Sequence, residues 1–149
     1  MKSIRKQKIN ILLTAVVICI SIVAVGVVYV PKFMKMDMFV VETGSMSPTI
    51  KANSLIYVKS YKNFEDYNVG DIVTFTDPVQ KKSFTHRIVG IDDREKSFVT
   101  KGDANKNADS IPVAKSQIIG RVVFCLPYLG YIIYFLKARI PFTAVCIMA

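Results

Sequence analysis

Ser45 stands in a segment suited to exposing a hydroxyl, Thr43-Gly44-Ser45-Met46-Ser47-Pro48-Thr49. Gly44 is expected to allow close backbone approach or a positive φ, and Pro48 stiffens the chain just beyond. A hydroxyl held out of such a loop can attack a carbonyl once a base takes its proton. The same residue types also make ordinary turns, so the reading needs a base and an acid. Two serine-hydrolase patterns are excluded: Pro48 breaks Ser-x-x-Lys, and Gly-x-Ser-x-Gly does not occur.

The base has one candidate among histidines. His86 is the only histidine of the 149-residue chain and lies in Thr85-His86-Arg87-Ile88-Val89. A neutral imidazole there could accept the Ser45 proton near neutral pH and return it to a leaving amine. Two acids, Asp103 and Asp109, lie six residues apart in Lys101-Gly102-Asp103-Ala104-Asn105-Lys106-Asn107-Ala108-Asp109. Either could hold the imidazole in one tautomer, and a plain turn has the same composition. The segment lacks the twelve-residue calcium-loop pattern and its closing Glu. Cys19, Cys125 and Cys146 are scattered in apolar surroundings and read as small hydrophobes. With one histidine and no Cys-x-x-Cys there is no zinc ligand set, and no metal or cofactor is expected.

Short alternating segments must position these groups. Ser54–Lys59, Asp71–Thr76, Phe84–Val89, Ser97–Thr100 and Ile118–Phe124 mix β-branched and aromatic residues with polar ones, between Gly-Asp and Asp-Pro turns. They predict a mainly β fold, a small all-β domain over 36–124. Ahead of it, Ile9–Val30 is 22 residues without a charge. As a helix it covers roughly 33 Å, enough for a hydrocarbon core of about 30 Å. A cleaved signal peptide would have a shorter core and a small-x-small site at its end, so the segment is read as a retained anchor. Residues 1–8 form a basic tail with Lys2, Arg5, Lys6 and Lys8 and no acid. That excess places the N-terminus in the cytoplasm and everything from about Pro31 onward outside. The apolar segment 125–149 includes Leu126–Leu136, too short to span, whose Tyr128, Tyr131 and Tyr134 could sit at a headgroup surface or pack on the β-domain. Ile140–Ala149 reads as the start of a second membrane helix or a short apolar tail.

The charge excludes one class of partner. Of the net +9, the basic tail supplies +4, whereas residues 32–121 carry 14 basic and 11 acidic groups. A nucleic-acid binder concentrates its charge on the folded part, so no nucleic acid is expected.

Taken in order, Gly44-Ser45-Met46-x-Pro48-Thr49, Val69-Gly70-Asp71-Ile72-Val73, His86-Arg87-Ile88-Val89-Gly90, Lys101-Gly102-Asp103-x-Asn105 and Pro127-Tyr128-Leu129-Gly130 follow a basic head and an apolar helix. This series resembles the type I signal peptidases, in their endoplasmic-reticulum-type branch, and covers residues 1–136. The branch is marked by His86, where the usual bacterial enzymes have a Lys. The resemblance implies a small all-β signal-peptidase-like catalytic domain with Ser45 as nucleophile and His86 as general base. An acid of the loop after Gly102 completes the set: Asp109 is favoured as the direct His86 partner and Asp103 as shaping the loop. Thr43 falls where many members carry a Ser assisting the oxyanion, with Gly44 and Met46 beside the nucleophile as oxyanion and substrate residues. The implied function is removal of signal peptides from exported preproteins at the cell membrane. The implied partners are signal peptides and the lipid bilayer. A self-cleaving repressor would carry a DNA-binding module and no membrane helix, the opposite of residues 1–30. A non-enzymatic anchored β-domain that binds extended peptides is the remaining alternative. The topology has a direct test: a reporter fused near residue 125 should be active only outside the cytoplasm, and a mature soluble protein beginning near Val27 would contradict the anchor.

Overall fold

A computed structural model describes residues 2–78, 81–131 and 135. The chain divides into two compact units, residues 1–35 and 36–149. The first is a single helix, α1 (Lys2–Phe33). The helix starts at Lys2, inside the basic head. Its side chains from Ile9 to Val25 are exposed, and an apolar surface all round is what a lipid-facing helix requires. Lys6–Phe33 is the one helix among the described residues long and apolar enough to cross a membrane.

The second unit is one antiparallel sheet of seven strands: β1 (Met36–Val41), β2 (Ser54–Lys59), β3 (Ile72–Asp77), β4 (Lys82–Asp92), β5 (Ser97–Lys101), β6 (Val113–Ala114) and β7 (Ile118–Leu126). Their order is β1-β2-β7-β3-β4-β5-β6. The mainly β expectation holds, and the five expected strands are β2, β3, β4, β5 and β7. β1 and the two-residue β6 were not anticipated. Five consecutive residues of β2, Ser54–Val58, are buried, as suits a strand covered on both faces. β5 buries only alternate residues, Phe98 and Thr100, as suits a strand with one inward face.

Two apolar clusters fill the domain. One joins Phe64, Tyr67, Val73, Phe75, Ile88 and Phe98 with Val113 and Ile118, and the Phe64 and Phe98 rings stack at 4.6 Å. The other joins Val41, Met46, Ile50, Ile56 and Val58 under the β1–β2 connection. Beyond β7, Gly130 N–H donates to the Asn53 carbonyl at 3.0 Å, so the start of the C-terminal segment packs on the β-domain. The expectations for Tyr134 and Ile140–Ala149 lie outside the described residues.

β7 joins the two halves of the sheet by pairing with β2 on one side and β3 on the other. Gly120 lies at this junction. A Cβ on it would press on the Lys59 carbonyl and stand 2.9 Å from the Ser60 nitrogen, and backbone cannot swing aside as a side chain can. Gly120→Ala is therefore expected to cost about 2 kcal/mol, read as a lower denaturation midpoint of the detergent-solubilised protein.

Candidate active site

The loop between β1 and β2 carries Ser45. Met46 is wholly buried among Val41, Ile50, Ile56 and Val58. The chain then closes through Ser47 N–H to the Gly44 carbonyl and Ile50 N–H to the Met46 carbonyl, both at 2.9 Å. Drawing Met46 inward leaves Ser45 half-buried at the rim, its Oγ 3.1 Å from Thr43 Oγ1. Two expectations change here. Met46 has no side-chain surface to offer a peptide and serves as the anchor of the loop. Gly44 has neither a positive φ nor a close neighbour, since a Cβ there would meet nothing within 4 Å.

β4 carries His86, only 8% exposed. The rings of Phe75 and Phe84 pack against it at 6.1 and 6.4 Å. Its Nε2 lies 3.3 Å from Ser45 Oγ and its Nδ1 lies 2.6 Å from Asp109 Oδ2. A carboxylate only accepts hydrogen bonds, so Nδ1 donates and Nε2 is left to accept from the Ser45 hydroxyl. Asp109 is held from β5: its N–H donates to the Thr100 carbonyl at 2.8 Å, and Thr100 Oγ1 donates to the same Oδ2 at 2.6 Å. A groove of about 770 Å³ opens beside His86 and Asp109, with Phe75, Phe84, Ile111 and Val113 in its lining. A hydroxyl, an imidazole and a carboxylate in this order form a path along which a proton can leave an attacking oxygen. Among the described residues no group of three His, Cys, Asp or Glu side chains is placed to hold a metal ion.

Asp103 lies elsewhere. Arg87 grips it with Nε at 2.8 Å and Nη2 at 2.7 Å, while Nη1 donates to the Gly70 carbonyl at 2.8 Å. The loop holding both acids is also tied to the Ser45 loop, because Ala104 N–H donates to the Ser45 carbonyl at 2.8 Å. Gly102 makes that approach possible, since a Cβ on it would stand 2.7 Å from the Ser45 carbonyl oxygen. Sequence reasoning had assigned no role to Arg87 or Thr100. The signal for Thr100 was present, a polar residue two positions from Phe98 on the inward face of a strand.

Hydrogen bonds from Arg87, and then from Thr49, hold the Asp103 carboxyl below its ordinary value of 3.8. A depressed carboxyl contributes stability that is present above the unfolded value and lost as pH falls through the folded one. Asp103→Asn is thus expected to lose on the order of 2 kcal/mol at neutral pH. Its stability should also decline less steeply than the wild type below the ordinary aspartate value, as measured by denaturant unfolding across that range.

The chain is similar to proteins of a known family. The family described as "Signal peptidase, peptidase S26" matches residues 12–94, a span that includes Ser45 and His86. The chain is 38% identical over 78 residues to signal peptidase I W of Bacillus subtilis, covering 51% of this chain and 40% of that protein. It is 32% identical over 103 residues to the signal peptidase complex catalytic subunit SEC11 of Colletotrichum graminicola, covering 62% and 59% respectively. The SEC11 subunit of Pyricularia oryzae is 33% identical over the same length. The chain thus spans between two fifths and three fifths of the length of these curated relatives. With the match running through the apolar helix, the Ser45 loop and the His86 strand, the chain belongs to the signal peptidase family, peptidase S26.

Proposed function

We propose that this chain is a membrane-anchored serine endopeptidase that cleaves signal peptides from exported preproteins, with α1 as the anchor and the β-domain outside the cytoplasm. The observation that carries the reading is the relay Ser45–His86–Asp109, whose members come from three separate parts of the chain and meet at 3.3 and 2.6 Å. Ser45 Oγ attacks the scissile carbonyl carbon while its proton passes to His86 Nε2. Asp109 holds the imidazole in the accepting tautomer and stabilises the imidazolium that forms. The Ser45 N–H and the Thr43 hydroxyl serve the developing oxyanion. His86 then protonates the leaving amine, and water releases the acyl group from Ser45.

The strand register supports an extended substrate. β5 pairs with β4 only from Arg87 onward, whereas Lys82–His86 pair with β3. Among the described residues no strand pairs with the other edge of Lys82–His86, where a peptide would add as a strand with its alternate side chains entering shallow pockets. Signal peptides are membrane-inserted, and an anchored enzyme meets their cleavage site at a fixed depth.

The test is turnover of a preprotein by the detergent-solubilised full chain. Ser45→Ala and His86→Ala should each lower kcat by about a thousandfold or more, and the double variant should be little worse. Activity should be lost in acid, because a protonated imidazole cannot accept the Ser45 proton. A bulky residue in place of Ala just before the cut should block processing. Full activity in His86→Ala would sink the mechanism, and binding of such peptides without cleavage would instead describe an anchored peptide-binding β-domain.

A further inference from the structure

The inward face of β5 offers two positions, and the sequence fills them differently. Phe98 enters the core, as the site favours, while Thr100 places a hydroxyl at full burial. A buried hydroxyl is costly unless it is hydrogen-bonded. Its partner is Asp109 Oδ2 at 2.6 Å, the same oxygen that accepts from His86 Nδ1 at 2.6 Å. Thr100 also accepts the Asp109 N–H on its own carbonyl at 2.8 Å. One residue therefore fixes the acid at two points, by backbone and by carboxylate.

We propose that Thr100 is a positioning residue for the Ser45–His86–Asp109 relay, setting the basicity and aim of His86 through the Asp109 oxygen that the two side chains share. The assignment rests on the reading of that relay as catalytic. It acts in two ways. The hydroxyl restrains the carboxylate, so Oδ2 stays directed at Nδ1. It also draws negative charge from Oδ2, so the imidazolium is stabilised less and the imidazole remains a neutral acceptor at lower pH. The other charges around the imidazole are left unchanged by a substitution at Thr100. They are Asp103 of the same loop, held by Arg87 of β4, and Asp77 and Lys106 on the groove wall. Phe75 of β3 and residues Thr43–Ile50 of the nucleophile loop bring none.

The experiment uses the full chain in detergent with Thr100→Val, which keeps the shape and removes the donor, and Thr100→Ser, which restores it. Thr100→Val is expected to lower kcat about tenfold with KM changed less than about twofold. The acid limb of its kcat/KM profile should move to higher pH by about half a unit to one unit. Thr100→Ser should return both to near the wild type. Because His86 is the only histidine, its titration can also be followed by NMR without turnover, and it should move with the acid limb. In an Asp109→Asn background Thr100→Val should add nothing. Should the valine variant fail to fold, Thr100→Ala removes the same donor and is read by the same titration. A donor-less variant with the wild-type acid limb and titration would overturn the assignment, as would an equal loss in the Asp109→Asn background. Wild-type activity in Asp109→Asn would overturn the relay itself, a separate failure that removes the basis for a role of Thr100.

Discussion

The hydrogen bond from Ala104 N–H to the Ser45 carbonyl ties the backbones of two loops together, beside the Thr49–Asp103 side-chain contact. One loop emerges from β1 and carries the hydroxyl, and the other emerges from β5 and carries both acids. A relay across two hydrogen bonds tolerates little error in the separation of the loops that carry it. The missing Cβ at Gly102 is what lets the backbones approach so closely. Met46 pulls the nucleophile loop down from below, and this one main-chain bond fixes it from the side.

The allocation of the two acids follows from strand geometry. His86 and Arg87 are neighbours in β4, so their side chains leave on opposite faces of the sheet. An imidazole on one face and a guanidinium on the other each draw an acid from the same loop. Asp109 goes to the imidazole and Asp103 to the forked grip of Arg87. The pair that does not touch His86 is thus still connected to it, because it fixes where the strand and the loop lie against each other.

Much of this was legible in the amino-acid order, and the remainder has physical reasons for being hidden. β2 and β5 announce themselves through β-branched and aromatic residues, whereas β1 has the sequence Met-Asp-Met-Phe-Val-Val and is reached from the helix through a turn at Met34 and Lys35 that holds no Gly, Pro, Asn or Asp to mark it. It is a strand because Ser54–Lys59 offers an edge to pair with, a tertiary cause that a local reading does not contain. Ser45 and His86 could be singled out by residue type and context. Residue type alone does not separate Asp103 from Asp109, since both are acids in one polar loop; the family resemblance favours Asp109 for His86, and the grip of Arg87 across the sheet holds Asp103. The glycines divide in the same way: Gly44 beside the nucleophile faces open space, and Gly102, within the acid loop, makes the critical contact.

The place of β7 in the sheet has a consequence for how such a molecule matures. It is the last of the described strands in chain order, yet it lies between β2 and β3, so the hairpin bearing Ser45 and the hairpin bearing His86 meet through it. Each half can form its own local pairings early, but loop closure across the sheet waits for residues Ile118–Leu126. A newly made chain therefore carries its hydroxyl and its imidazole apart. The sheet brings Ser45 and His86 within 3.3 Å of each other with β7 seated between the two hairpins.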